Sequence, residues 1–443
     1  MCRAHSPSES NNRTGGDAML VGGLFLILML LGAPIAIALG VAGLTGMFEM
    51  GGAHFASLAP SKVFNGLNIF PFLAMPFFIL AGEIMNHTGI TNRLVYLAEA
   101  LVGHFRGGLA HSNMVASVFF SGITGSATAD AAAFGRTLVP AMEKQGYSRS
   151  YACAVTAAGS IIGPTIPPSG LMVVYGSLMG VSIGGLFATG ILPGLLVCFV
   201  CMAIIAAMGK RKNLPKMSEK SSLTEVLKHF RHSALALLMP LIILGGIVFG
   251  IVTPTEAASI AVAYALIIGF LIYRNLTFPA LFQMVVRTAQ ISAVIYLIIG
   301  SASILGWWLS FNQIPQMIAD IFISLSDNPN VILFLIISLL LVVGMLMDIN
   351  VMLIILAPIL VPLTAEIGMH PLHAGIVFVL ALNISLMTPP IGACLFVLSS
   401  VTGARIEGIS KELMPFLFGQ LLLLFTIAYF PDLVLFIPRL LGY

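Results

Sequence analysis

Ile161-Ile-Gly-Pro-Thr-Ile-Pro-Pro-Ser-Gly170 interrupts an apolar segment near the middle of the chain, and Ile384-Ser-Leu-Met-Thr-Pro-Pro-Ile-Gly392 interrupts another, with Pro390 falling 222 positions after Pro168. The same offset, without a gap, places Leu138-Val139-Pro140 on Leu360-Val361-Pro362, Gly146 on Gly368, Gly170 on Gly392 and Pro193 on Pro415. The chain therefore reads as two copies of one plan. Proline lacks an N–H and crowds the carbonyl of the preceding turn, so each Pro-Pro breaks a helix and frees carbonyl groups. A single Pro-Pro would serve equally well as a helix end before a loop. Two in register, inside matched apolar halves, point to a secondary transporter whose unwound backbone builds a binding site at the bilayer midplane.

Composition sets the solvent. With 58% hydrophobic and 8% charged residues, the chain has too little polar surface to cover itself, and its apolar runs are long enough to span a bilayer. The runs are continuous and do not alternate, which excludes a transmembrane barrel. Backbone groups inside lipid must then be satisfied within helices, giving an all-α polytopic membrane protein. Five cysteines imply no disulfide framework. Cys198 and Cys201 form a C-x-x-C, but they lie on one turn of an apolar helix with no His or acidic ligand beside them.

Residues 1–18 are polar and unlike the rest of the chain, so they read as a disordered head or a misassigned start upstream of Met19. A signal peptide is the rival reading, disfavoured because Pro34 sits where the second half carries Pro254. The division expected is a first repeat over 19–208, a basic linker over 209–232 and a second repeat over 233–443. The linker sets Lys210, Arg211, Lys212, Lys216, Lys220, Lys228 and Arg231 against Glu219 and Glu225. Next to spanning helices this excess marks a cytoplasmic loop and not a nucleic-acid site.

Charges outside the linker orient the halves. Arg93, Arg106, Lys144 and Arg149 flank an apolar hairpin at about 109–143, whereas no cation flanks its counterpart at about 331–366. The two hairpins enter from opposite sides, so the repeats are inverted copies, each with a re-entrant hairpin and a broken helix. The spans expected are two over about 20–50, one at 69–87, a broken one at 150–180 and a closing one at 186–208. The second half repeats them at 234–253, 255–273, 288–311, 372–402 (broken) and 413–437.

Candidate chemistry lies at the hairpin turns and the breaks. Ser121-Gly-Ile-Thr-Gly-Ser-Ala-Thr-Ala-Asp130 gathers Ser121, Gly122, Thr124, Gly125, Ser126, Thr128 and Asp130 into one turn. Hydroxyl oxygens and free carbonyls suit a hard cation such as Na⁺, and the N–H groups of a limb's first turn favour an anion. Close packing of small residues is the plainer alternative. The second turn supplies Gly344, Asp348 and Asn350, with Asp348 taken as the counterpart of Asp130 after a small indel. A carboxylate in each hairpin is costly unless paired, hydrated or on an ion path, although capping of the following limb is an equal alternative for either Asp. The breaks contribute Gly163, Pro164, Thr165, Pro167 and Pro168 in one half and Asn383, Ser385, Thr388, Pro389, Pro390 and Gly392 in the other. Ser126, Thr165, Asp348 and Thr388 are the sodium candidates, and Arg136 is placed to pair with Asp130 or with a substrate carboxylate. Glu83 and Glu256 read as helix-end or packing partners. No phosphate-binding loop, zinc spacing or nucleophile–base set is present, so the sequence supports neither ATP use nor an enzyme.

At these motifs the chain resembles the large membrane subunit, DctM type, of tripartite ATP-independent periplasmic transporters. The resemblance runs over essentially all of 19–437 and rests on the 121–130 turn, Leu138-Val-Pro140, Ala157 to Pro168, Thr253-Pro-Thr-Glu-Ala257, Gln313-Ile-Pro-Gln-Met317 and Thr388-Pro-Pro-Ile-Gly392. It implies an elevator-type carrier in a bacterial inner membrane, driven by Na⁺. It also implies a separate small four-span membrane subunit and a periplasmic binding protein that delivers an organic acid. Arg136 departs from what the resemblance implies for that hairpin. A stand-alone dicarboxylate carrier, a channel and a non-transporting scaffold are the alternatives. A channel would need a continuous polar path, whereas the polar residues here gather in two clusters between apolar segments.

Overall fold

A computed structural model describes residues 7–216, 220–390 and 392–443, with side chains from Met19 onward. The first half comprises α1 (Pro7–Leu30), α2 (Ile35–Gly51), α3 (Ala53–Ala56), α4 (Ala59–Leu67), α5 (Ala74–His87), α6 (Ile90–Val102), α7 (Gly108–Thr124), α8 (Ala127–Lys144), α9 (Arg149–Ser160), α10 (Ile162–Thr165), α11 (Gly170–Met179) and α12 (Ile183–Arg211). The second comprises α13 (Leu223–Val248), α14 (Pro254–Ile267), α15 (Phe278–Phe311), α16 (Ile314–Leu325), α17 (Pro329–Gly344), α18 (Ile349–Glu366), α19 (Pro371–Ser385), α20 (Ala393–Thr402), α21 (Ile406–Tyr429) and α22 (Pro431–Leu440). No strand occurs among the described residues. Among the described residues, six helices are long and apolar enough to cross a bilayer, or up to eight if each bent pair is one span.

The offset of 222 carries one set of helices onto the other. Helix α8 maps onto α18 residue for residue, α7 onto α17, α9 with α10 onto α19, α11 onto α20 and α12 onto α21. The two sets interlock: α8 packs on α9 and also on α20 of the other half, while α18 packs on α19 and on α11. Helices α2, α4 and α15 form one pack, and α5 lies against α14.

Four features depart from the sequence reading, each for a local reason. The span expected at 69–87 is the second limb of a bent pair, Ala53–Leu67 with Phe70–His87, turned by 64°. Pro71 follows the bend directly and Pro76 lies in the first turn of α5, whereas the counterpart α15 has Ala293 and Ile298 there and runs 34 residues unbroken. Two short amphipathic helices, α6 and α16, stand where the sequence suggested only connections. α6 buries Ile90, Leu94, Leu97 and Ala98 and leads into the first hairpin, as α16 does into the second. The linker is partly helical, because Ser222 and Glu225 form a reciprocal capping box that starts α13 inside it. Before the described residues break off at 216, Pro215 meets the base of the first hairpin, its carbonyl accepting from Gly107 N–H at 2.8 Å. Finally, α1 begins at Pro7, so the boundary expected at residue 18 is not a break in the backbone. Residues 1–6 and 217–219 of the expected head and linker lie outside the described residues.

Candidate substrate and ion site at the hairpin tips and helix breaks

The first hairpin turns on Gly125, whose φ of +57° is a left-handed conformation that glycine adopts without penalty. A Cβ at this position would lie 2.8 Å from the carbonyl oxygen of Pro168, so the tip rests directly on the break of the 150–180 span. Ser126 caps α8, its Oγ accepting the Ala129 N–H at 3.5 Å and lying 3.3 Å from Thr128 Oγ1. Ser121 donates to the Val118 carbonyl at 2.6 Å, and Gly122 makes room for Pro240 of α13.

Asp130 lies one turn inside α8 and is fully buried. Thr124 donates its hydroxyl to Oδ1, while Oδ2 has no hydrogen-bond partner and is packed on Gly163 of α10. Gly163 thus supplies the space that a side chain would occupy. Cys394, at the start of α20, approaches the same corner through its contact with Ser160 at 3.5 Å.

The break itself is built from both halves. Gly163, Pro164, Thr165, Pro167 and Pro168 are buried, with a cis peptide between Pro167 and Pro168. Thr165 donates to the Ile161 carbonyl at 2.7 Å and accepts from Asn383 Nδ2 at 3.0 Å, joining one broken helix to the other. In the second half Ser385 donates to Leu382 at 2.7 Å and Thr388 to Ile384 at 2.8 Å. Pro389 and Pro390 share the other cis peptide, Pro390 is exposed, and Gly392 leads into α20 with a φ of +50°. Gly344 admits the side chain of Ser385.

Asp348 is not the counterpart of Asp130. At the ungapped offset it stands on Ser126, and like Ser126 it caps the second limb of its hairpin, accepting from the N–H of Asn350 at 2.9 Å and of Val351 at 3.4 Å. The Asn350 side chain adds a third bond at 3.2 Å, and Asp348 is exposed. The position matching Asp130 is Met352, and that matching Gly163 is Ser385. One half therefore carries a buried carboxylate facing a glycine, and the other a thioether near a serine. Asp348→Ala is expected to lower hairpin stability by about 1 kcal/mol, the usual cost of an N-cap. A thermal midpoint unchanged by this substitution would contradict the capping role.

Arg136 is exposed and forms no ion pair among the described residues, so the pairing with Asp130 is not made. Glu83 pairs with Arg287 at 3.5 Å, and Glu256 completes a capping box with Thr253. Neither enters the site. Three buried oxygens around the break have no hydrogen-bond partner: Asp130 Oδ2, Asn383 Oδ1 and Ser169 Oγ. Ser169 is a site residue that sequence reasoning missed, although its place between Pro168 and Gly170 marked it. Oxygen donors predominate here, and no group of three His, Cys, Asp or Glu side chains that could hold a metal occurs among the described residues.

The sequence model of the tripartite ATP-independent periplasmic transporter DctM component matches residues 22–433. The chain belongs to the DctM family. Among its relatives, the sialic acid TRAP transporter large permease protein SiaM of Vibrio cholerae is 38% identical over 96% of this chain and 100% of its own length. The 2,3-diketo-L-gulonate TRAP transporter large permease protein YiaN of Escherichia coli is 36% identical over 94% of this chain and 96% of its own. These relatives are named as transporter permeases and not as enzymes. The crystal structure of the YdaH transporter of Alcanivorax borkumensis matches with a TM-score of 0.61, covering 93% of this chain and 97% of that one at 14% identity, a likeness of fold alone. The DctM chain described here is thus a multi-pass, all-helical transporter subunit.

Proposed function

We propose that this DctM chain is the large membrane subunit of a sodium-driven importer of an organic acid in the bacterial inner membrane. It works with a separate small four-span subunit and with a periplasmic protein that delivers the acid. The observation that supports this most directly is the set of buried, unpartnered oxygens where the hairpin tip, the first break and Asn383 of the other half meet. A buried polar atom without a partner is costly, and a hard cation supplies the missing interaction. A carboxylate-bearing substrate is suggested by the relatives, whose names specify sialic acid and 2,3-diketo-L-gulonate.

An elevator motion fits the interlocking of α8 with α20 and of α18 with α11. The two hairpins and two broken helices then move as one body, tethered through the amphipathic α6 and α16. Each net positive charge carried inward gains about 2.3 kcal/mol per 100 mV, so an excess of Na⁺ over substrate charge would concentrate the acid strongly.

The test is uptake of labelled organic acids into liposomes holding this chain, its small subunit and its binding protein, with an inward Na⁺ gradient imposed or withheld. Uptake is expected only with all three proteins and the gradient. Uptake by this chain alone would overturn the tripartite reading, and uptake indifferent to Na⁺ would overturn the coupling.

A further inference from the structure

A cavity that shares no lining residue with the hairpin tips or helix breaks lies between the amphipathic α6 and the first three turns of α13. Its volume is about 560 Å³, and Arg93, Lys228, Arg231 and His232 line it together with Tyr273 and Leu227. No carboxylate is among its lining residues. Of the acidic residues on α6 and α13, Glu225 is committed to the capping box and Glu99 interacts with His229. Arg93 is held in place twice, its guanidinium stacked on the Tyr273 ring with Cζ 3.7 Å from the centroid, and its carbonyl accepting from Ser233 Oγ at 3.0 Å. Lys228, Arg231 and His232 are exposed along the opposite wall. A pre-positioned guanidinium facing flexible cations suits an anion with several acceptor oxygens.

The surroundings identify the source of that anion. The cations belong to the basic segment that marks the cytoplasmic side. Interleaved with them on α13, Leu223, Leu227 and Phe230 are exposed, as is Tyr96 on α6. A free phosphate ion has no use for an apolar rim, whereas a phospholipid brings a phosphodiester for the cations and acyl chains for the rim. The inverted repeat supplies a control within the molecule. The positions matching Arg93 and Tyr273 are Pro315 and Gly51, so the matching place in the other half lacks both the guanidinium and the ring, and the shared plan of the repeats does not require them.

We propose that this cavity binds the headgroup of an anionic phospholipid from the cytoplasmic leaflet, bridging α6 to α13. Because α6 leads into the first hairpin, the bound lipid ties that hairpin's base to α13. The site is separate from the one at the helix breaks and does not depend on what is transported.

The experiment is native mass spectrometry of the full chain released from mixed micelles of phosphatidylglycerol and phosphatidylcholine. The unmodified chain is expected to retain phosphatidylglycerol over phosphatidylcholine by about fivefold or more, in line with the pull of three or four cations on one anion. Arg93→Gln with Lys228→Gln and Arg231→Gln is expected to abolish that preference, while Arg93→Lys keeps most of it and Arg439→Gln, at the exposed C-terminal helix, leaves it intact. Lys228, Arg231 and Arg439 are exposed and Arg93 is half-buried against Tyr273, and an unchanged thermal midpoint will show that the triple variant is folded. An undiminished preference in the triple variant overturns the proposal. So does displacement of the lipid by millimolar inorganic phosphate, which would make this a free-anion site. Loss of co-purification with the small subunit, with lipid retained, would make it a protein interface and also overturn the proposal.

Discussion

Asp130→Asn is expected to reduce sodium-dependent uptake by about tenfold or more, equivalent to at least about 1.4 kcal/mol lost from the coupled binding step. The amide matches the carboxylate in shape and still accepts from Thr124, so the packing around α8 is preserved while the charge is removed. The substitution also removes the charge from a fully buried carboxylate, a charge that is unfavourable to the fold in the absence of an ion. The thermal midpoint is therefore expected to hold or rise while transport falls, as is typical where a site is kept at the expense of stability. Initial uptake rates against external Na⁺, alongside a melting curve for each protein, separate the two effects. An unchanged Na⁺ dependence would remove Asp130 from the ion path.

Gly163→Ala approaches the same corner from the other side. The new methyl group would occupy the space of Asp130 Oδ2, in a carboxylate that is fully buried and held through Oδ1 by Thr124, so the carboxylate or the hairpin tip that carries it must move. Overpacking of this kind costs about 1 to 3 kcal/mol. The expected result is a loss of stability together with a loss of uptake. Combining Gly163→Ala with Asp130→Ala relieves the collision, so the double variant should regain thermal stability without regaining transport. Additive losses in the double variant would show that the two residues do not meet.

How much of the molecule is legible in its sequence depends on whether position or chemistry is allowed to decide. The 222-residue offset can be read from Pro167-Pro168 and Pro389-Pro390 alone, and it locates both hairpins, both breaks and the closing spans. Asp348 is misplaced when a carboxylate is matched to a carboxylate by introducing an indel, since the ungapped offset already sets it on Ser126. The bend before α5 is not legible because its cause, a pair of prolines, has no counterpart in the other half to draw attention to it. The short helices α6 and α16 escape notice because a stretch of about 12 residues is too brief to span a bilayer and therefore counts only as connection. The bond from Asn383 to Thr165 spans 218 residues, and nothing local to either one announces it.

A protein made of two upside-down copies faces a choice that most membrane proteins do not. Turned over, its interlocked helices would present nearly the same apolar profile to the bilayer, so insertion energy from burial barely distinguishes the two poses. The symmetry is broken by a handful of side chains, those of the segment between α12 and α13 and the arginines and lysines that flank the first hairpin. On the positive-inside expectation, the charges that choose which way the molecule faces sit at helix ends and in the connection between the halves, apart from the apolar packing that lets it fold.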